Sequence, residues 1–371
     1  MTTTGTDPLT CERHGTPTKL RCADCETPIC PQCLVRTPVG LKCPDHAEGI
    51  TPTVVRPRRS AAQIVIGVVA ALAVIGGVVA LAVTIGGGGD SDTSTPGGPA
   101  IPSPDRIQSP QVAVMAADGS GKRLLTNRPL AFDGTPSWSP DATRLAFESL
   151  SDGRRSIWVM QADGQGVRRL TDGPGPDSAP AWSPDGSRIA FMSDRDGNPE
   201  IYVMSADGTG VRRLTNQPGF DGFPAWTPDG ARIGFVSDRD GAFRLWTMSA
   251  DGAAPAKLFD VPAFADRPAF SRDGRRVVFV SDRDTDPEIY VANVDGSGLT
   301  RLTTSTGADG EPALSPDGTQ VVFASDRDGA PAVYVVNVDG TNLRKLTTGP
   351  KGYTPTWSPD GRSIAYVSDA G

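Results

Sequence analysis

At 371 residues the chain is long enough for more than one folded unit, and its composition divides it, because all six cysteines and both histidines fall in the first 46 residues. The net charge is −7, yet residues 1–60 carry eight bases against six acids, which leaves the remainder with 37 acids against 28 bases, a net −9. A field of that sign repels phosphate backbones and excludes nucleic acid as a partner of the larger part, and the lack of His and Cys there removes the usual general base, the thiol nucleophile and the imidazole metal ligand.

After a polar stretch, residues 1–10, predicted to be disordered, the cysteines and histidines come as four pairs with two residues inside each: Cys11 with His14, Cys22 with Cys25, Cys30 with Cys33, and Cys43 with His46. Eight such ligands make two closed tetrahedral sites of the kind structural zinc prefers, and a segment this short needs metal binding to supply its folding free energy. Three disulfides are the competing reading. The spacing of the first six ligands, C-x2-H-x7-C-x2-C-x4-C-x2-C, is similar to the B-box zinc-finger pattern, so residues 11–48 resemble that module. The last pair departs from it, since Cys43-x-x-His46 stands where a B-box has two histidines. The resemblance implies a cross-brace, with Cys11, His14, Cys30 and Cys33 on one zinc and Cys22, Cys25, Cys43 and His46 on the other; sequential pairing is the alternative. With no open coordination position, neither Zn2+ is expected to catalyse, and the module is expected to dock a protein partner or serve as a folded cap.

Residues 49–60 form a linker ending in Arg56, Arg58 and Arg59, and residues 61–85 carry no charge across 25 positions. At roughly 1.5 Å per residue such a helix exceeds the ~30 Å hydrocarbon thickness of a bilayer, so one transmembrane helix is predicted. The basic flank precedes it and glycines with Asp90 follow it, which by the positive-inside rule puts the N-terminus in the cytoplasm and the rest outside. A reducing cytoplasm favours zinc over disulfides. Residues 86–110, rich in Gly, Ser, Thr and Pro, read as a flexible tether spanning about 30 Å root-mean-square.

Beyond the tether a unit repeats. Trp138-Ser-Pro-Asp recurs at Trp182, Trp226, Phe270, Leu314 and Trp357 in steps of 44, 44, 44, 44 and 43. Each unit reads as four short strands, such as a proline-led strand ending at Trp182, Arg188 to Met192, Glu200 to Met204 and Val211 to Thr215, separated by Ser-Pro-Asp-Gly, Ser-Asp-Arg-Asp-Gly and Ala-Asp-Gly turns. Before the first Trp lie two strands, Gln111 to Met115 and Lys122 to Thr126; after the last lies one, Arg362 to Val367. These fragments complete each other, so a ring of six blades closed by N- and C-terminal strands is predicted, which leaves no open sheet edge. The fold class is therefore all-β, a six-bladed β-propeller over residues 111–371, with a small two-zinc module and one transmembrane helix. Asp141-Ala142 and Arg272 depart from Ser-Pro-Asp-Gly, and both turns are expected to be less tight.

These units resemble the repeats of the TolB-type propeller family, which implies a protein-binding or ligand-binding scaffold in a bacterial cell envelope. Strand direction puts the Asp-Arg-Asp turns and the blade-to-blade loops on one face, the latter adding Asp133, Asp177, Asp221, Asp266 and Asp309. That face is expected to be acidic around the channel mouth, suiting a cationic peptide or Ca2+; the alternative is that each Asp ties its own turn. No G-x-S-x-G elbow occurs, so the chain is expected not to be an enzyme, carbohydrate chemistry on paired carboxylates being the residual alternative. The expected function is a single-pass cell-membrane scaffold whose propeller binds an envelope protein or peptide while the zinc module meets a cytoplasmic protein. The alternative is a transmembrane regulator coupling the two, against which a flexible tether counts because it transmits no rotation.

Overall fold

The computed structural model describes residues 109–369 apart from 129, 261–263, 285 and 350, together with four short strands before them. The chain divides into two units, Met1–Ser60 and Ala61–Gly371. In the first, β1 (Leu9–Thr10) pairs antiparallel with β2 (Pro17–Thr18), and β3 (Val35–Thr37) with β4 (Gly40–Lys42). The eight cysteine and histidine positions and the apolar run 61–85 lie outside the described residues; among those described, no helix is long and apolar enough to cross a membrane.

In the second unit, 24 strands, β5 to β28, make six four-stranded antiparallel sheets. Blades 1 to 5 are β7–β10 (132–169), β11–β14 (177–213), β15–β18 (221–257), β19–β22 (265–301) and β23–β26 (309–345). Blade 6 joins β27 (Gly352–Trp357) and β28 (Ser363–Asp369) to β5 (Pro110–Ala116) and β6 (Arg123–Leu124). Seven residue pairs, from Ser363 with Ala116 to Asp369 with Pro110, lock the ring. On the Ala-Asp-Gly face, arginines of the outermost strands tie four of the six blade junctions: Arg123 bonds the Asp163 carbonyl, Arg168 that of Asp207, Arg212 that of Asp251 and Arg344 that of Asp118, at 2.9–3.3 Å.

Second and third strands are apolar on both faces because each blade packs between two others, not against solvent. Phe147, Phe191, Phe235, Phe279 and Phe323 repeat at one position and are fully buried. The fourth strands are shorter than the sequence predicts: β14 is only Arg212–Arg213. The amide of Ile201, next along, is met instead by the Thr215 hydroxyl at 2.9 Å, so a side chain replaces the ladder at the blade edge.

The Ser-Pro-Asp-Gly turns are self-contained. Ser183 Oγ donates to Asp185 Oδ1 (2.5 Å) and accepts from the Arg188 amide (2.9 Å), and Gly186 takes φ 70°. The expected loosening of the two variant turns does not occur. Ala142 adopts φ 57° and its amide bonds the Ser139 carbonyl at 2.9 Å, while the Arg272 turn keeps the Ser271–Asp273 bond at 2.5 Å with Gly274 at φ 69°. The serine–aspartate pair holds the loop shut whatever the second residue is.

Each inner strand carries a bulge just before its proline, where register with the second strand shifts. The bulged residues, Thr135, Ala179, Phe223, Arg267, Glu311 and Thr354, all have φ between 42° and 58°, and none is glycine. Left-handed backbone at a side-chain-bearing residue costs on the order of 1–3 kcal/mol, so six such positions are held by the surrounding ring.

Candidate ligand-binding face of the propeller

The Asp-Arg-Asp turns and blade-to-blade loops do share a face, as the amides of Asp194, Asp238 and Asp326 bonding the carbonyls of Pro176, Phe220 and Ala308 establish. Each member of the triplet has structural work. The first aspartate caps the incoming loop: Asp238 Oδ1 accepts the Phe220 amide and Asp326 Oδ1 the Ala308 amide, both at 2.7 Å. The last holds a tyrosine hydroxyl, Tyr290 to Asp284 at 2.5 Å and Tyr334 to Asp328 at 2.6 Å, with Tyr202 to Asp196 alike.

The arginine reaches inward to the loop aspartate. Arg195 Nη2 donates to Asp177 at 2.9 and 3.1 Å, Arg239 to Asp221 at 2.7 Å and Arg327 to Asp309 at 2.6 Å, and these aspartates are at most 1% exposed. Each guanidinium also lies over an aromatic ring of the third strand, 4.8 Å from Tyr202, 4.7 Å from Trp246 and 5.0 Å from Tyr334. Blade 1 has no such triplet, yet Arg128, from the preceding loop, bonds Asp133 and lies 4.5 Å from the Trp158 ring. Asp133, Asp177, Asp221 and Asp309 are each bonded to an arginine of their own and are not gathered into one cluster. Among the described residues no group of three or more carboxylates, cysteines or histidines is placed to hold a metal ion, so Ca2+ gains no support.

Asp266 is different. In the ladder it is Ala265, not Asp266, that pairs with Ser281 as Asp177 pairs with Ser193. Asp266 sits one residue on, at the position of Ser178 and Gly222, and Arg283 is left exposed, 5.9 Å from the Tyr290 ring. Asp266 Oδ1 accepts the Arg267 amide at 2.7 Å, and burial pushes its carboxyl up to about 6.

Around the axis the bulged residues meet one another. Arg267 lies 4.2 Å over the Phe223 ring on one side and 3.6 Å from Glu311 on the other, and Glu311 accepts the Thr354 amide. Opposite, Glu148 accepts the Ala179 amide at 3.1 Å. Thr135 Oγ1, Arg267 Nη2 and Thr354 Oγ1 are buried polar atoms of this ring without a hydrogen-bond partner in the protein. Next to Phe223, Phe220, Phe243 and Phe264 form a chain of ring contacts at 5.5–6.0 Å across the loops of blades 3 and 4. Gly222 permits it, since a Cβ there would fall 2.4 Å from Phe220 Cζ. The sequence signals this sector only by exception: Phe243 replaces the proline found at Pro199, Pro287 and Pro331.

A family model for the TolB beta propeller domain matches residues 103–260 and 257–371, and one for the B-box zinc finger matches residues 6–37. The latter span holds six of the eight proposed ligands and stops before Cys43 and His46. Among solved structures, the putative TolB of Agrobacterium tumefaciens is 26% identical with a TM-score of 0.62, covering 70% of this chain and 98% of that one. TolB of Acinetobacter baumannii is 23% identical with a TM-score of 0.59, covering 68% and 67%. The tricorn protease, 19% identical with a TM-score of 0.52, shares the fold over 64% of this chain and 24% of its own. No curated protein matches the chain.

Proposed function

Because this chain belongs to the TolB beta propeller domain family over residues 103–371, we propose that it is a non-enzymatic binding protein whose propeller holds a protein or peptide segment at the channel mouth. The observation that carries the reading is where the repeat breaks. Phe220, Phe223, Phe243 and Phe264 gather an aromatic cluster in one sector beside the buried Asp266 and the Arg267–Glu311 pair, with Phe243 standing where other blades carry Pro199, Pro287 and Pro331. An aromatic patch rimmed by charges and adjoining a strained ring is the composition of a recognition surface. Catalysis has no comparable support, since the domain lacks His and Cys and its triplet acids are bonded in place.

The proposal extends to the remaining chain. Residues 61–85 anchor the protein in the cell membrane as a single pass, with the propeller outside and the N-terminal module in the cytoplasm. Cys11, His14, Cys30 and Cys33 hold one Zn2+ and Cys22, Cys25, Cys43 and His46 the other, in a module that docks a cytoplasmic protein. Removing zinc is expected to unfold residues 11–46 and leave the propeller's circular dichroism unchanged. An unchanged spectrum of the N-terminal segment after full metal removal counts against the zinc sites.

A photo-crosslinking amino acid placed at Phe243 in the full-length protein, in cells, tests the binding face against one at Ser187 on the opposite face. Capture of one envelope protein from 243 and not from 187 supports the reading. Equal capture from both, or none from 243, overturns it.

A further inference from the structure

On the face carrying the Ser-Pro-Asp-Gly turns, blade 1 is joined to blade 2, and blade 2 to blade 3, by an arginine that opens one second strand and a tryptophan that ends the next inner strand. Arg144 lies 4.7 Å from the Trp182 ring centre, and Arg188 4.6 Å from that of Trp226. Trp is the ring best suited to a guanidinium, and the pair fills the gap between blades. Between blades 3 and 4 the arginine is kept as Arg232 but the indole is lost, Phe270 standing in its place; between blades 4 and 5 it is lost to Leu314, and there Arg276 bonds the Gly318 carbonyl at 2.8 Å. Three further departures fall on the interface of blades 3 and 4. Gly234 replaces the Ala190 of blade 2, Thr247 replaces Val203, and Arg272 replaces the proline present in the other five turns.

Their geometry is concerted. The Phe270 ring leans into the room Gly234 leaves, where a Cβ would lie 2.7 Å from Phe270 Cε2. Arg232, with no indole to cover, donates Nε to Thr247 Oγ1 at 2.9 Å. A cleft of about 520 Å3 lies here, lined by Leu258, Phe270 and Val294 together with Arg232 and Arg272. That volume is within the range of small-molecule sites, roughly 300–1,000 Å3. Asp229 and Asp273 also line it, but each gives one oxygen to its own turn, Asp229 to Thr227 Oγ1 and the Ala231 amide, Asp273 to Ser271 Oγ and the Arg275 amide.

We infer that this cleft binds a planar aromatic ring of indole size, which takes the place of the missing tryptophan by stacking on the Arg232 guanidinium against Phe270 and Leu258. The ring is recognised as Arg144 and Arg188 recognise the indoles of Trp182 and Trp226. It is supplied either as a free small aromatic or as a tryptophan side chain in an unstructured segment of another chain. The site lies on the face opposite the channel-mouth patch and does not rest on its occupancy.

Isothermal titration of the full-length protein with indole, and separately with a short Gly-rich peptide holding one tryptophan, tests this. Saturable binding of at least one probe is expected. Indole alone binding identifies a free small aromatic as the source, and the peptide binding at least as tightly identifies a tryptophan side chain. Phe270→Trp combined with Gly234→Ala restores the pair that Trp226 and Ala190 make, fills the cleft, and is expected to weaken binding at least tenfold. Arg232→Gln, which puts at this position the residue blade 5 has at Gln320, removes the stacking cation without filling the cleft and is expected to weaken it at least threefold. Neither probe binding, or both variants binding as the parent does while retaining its circular dichroism, overturns the inference.

Discussion

Asp266 is a carboxylate kept where ionisation is unfavourable. Its pKa in the fold, about 6, stands above the ordinary 3.8, so folding favours the protonated form. Below pH 3.8 the group is neutral in both states and costs nothing; between 3.8 and about 6 the unfolded chain ionises while the folded one keeps its proton, so stability falls across that window and the loss is complete above 6. Asp266→Asn is therefore expected to stabilise at pH 7.5 by on the order of 1–3 kcal/mol and to have little effect at pH 4, read by urea unfolding at both. Loss of stability at pH 7.5 would show the charge to be favourably used. The pKa of Asp221 is also raised by burial, but it has a guanidinium partner that offsets part of the cost: Arg239→Ala strands a fully buried carboxylate and is expected to destabilise by about 3–5 kcal/mol, and Asp221→Asn added to it to recover part of the loss. The ion pairs were only half legible in the sequence. Composition finds an aspartate near the start of each of the first five units, but only alignment on the following proline, Pro180 against Pro268, separates Asp266 from the others, and Arg128 belongs to no motif at all.

At the scale of turns and strands, the recurring motifs are built from bonds that close within five residues, which is why they could be read in one dimension. Ser183, Asp185 and Gly186 need no tertiary partner, and two serine hydroxyls and an amide hold the Asp185 carboxyl down near 2. Ala142 is the exception that carries a cost, a Cβ at φ 57° where the other turns have glycine. Ala142→Gly is expected to raise the stability of the domain by about 0.5–1 kcal/mol, measured as a shift in thermal midpoint, whereas Gly186→Ala should lower it by a similar amount. The bulges of the inner strands gave no such signal. They place Thr, Ala, Phe, Arg and Glu in a conformation that favours glycine, and their one trace in sequence is the proline that follows each of them. Their geometry comes from six strands converging on an axis, which no local rule contains.

For the molecule as a whole, the period of 44 and the split of the sixth unit carried the blade count and the closure, because an even repeat with complementary ends has few other solutions. What distinguishes one sector of the ring from another was hidden by the same regularity: the Phe220–Phe243–Phe264 patch and the cleft beside Arg232 are both departures at the junction of blades 3 and 4. The closing sheet should matter more than its seven residue pairs suggest. Removing residues 363–371 exposes the edges of both β5 and β27, and the expected outcome is loss of cooperative unfolding and aggregation, seen by light scattering, not a propeller short of one strand. A monomeric, cooperatively folded truncation would mean that five blades and a half suffice.

That closure also sets a timetable. β5 is made early and waits for a partner some 250 residues downstream, which at ribosomal rates of about 5–20 residues per second is an interval on the order of tens of seconds. Until β28 emerges, blades 1 to 5 have all their strands but the ring cannot close. Emergence of β28, not the folding of any single blade, is the event that closes the ring.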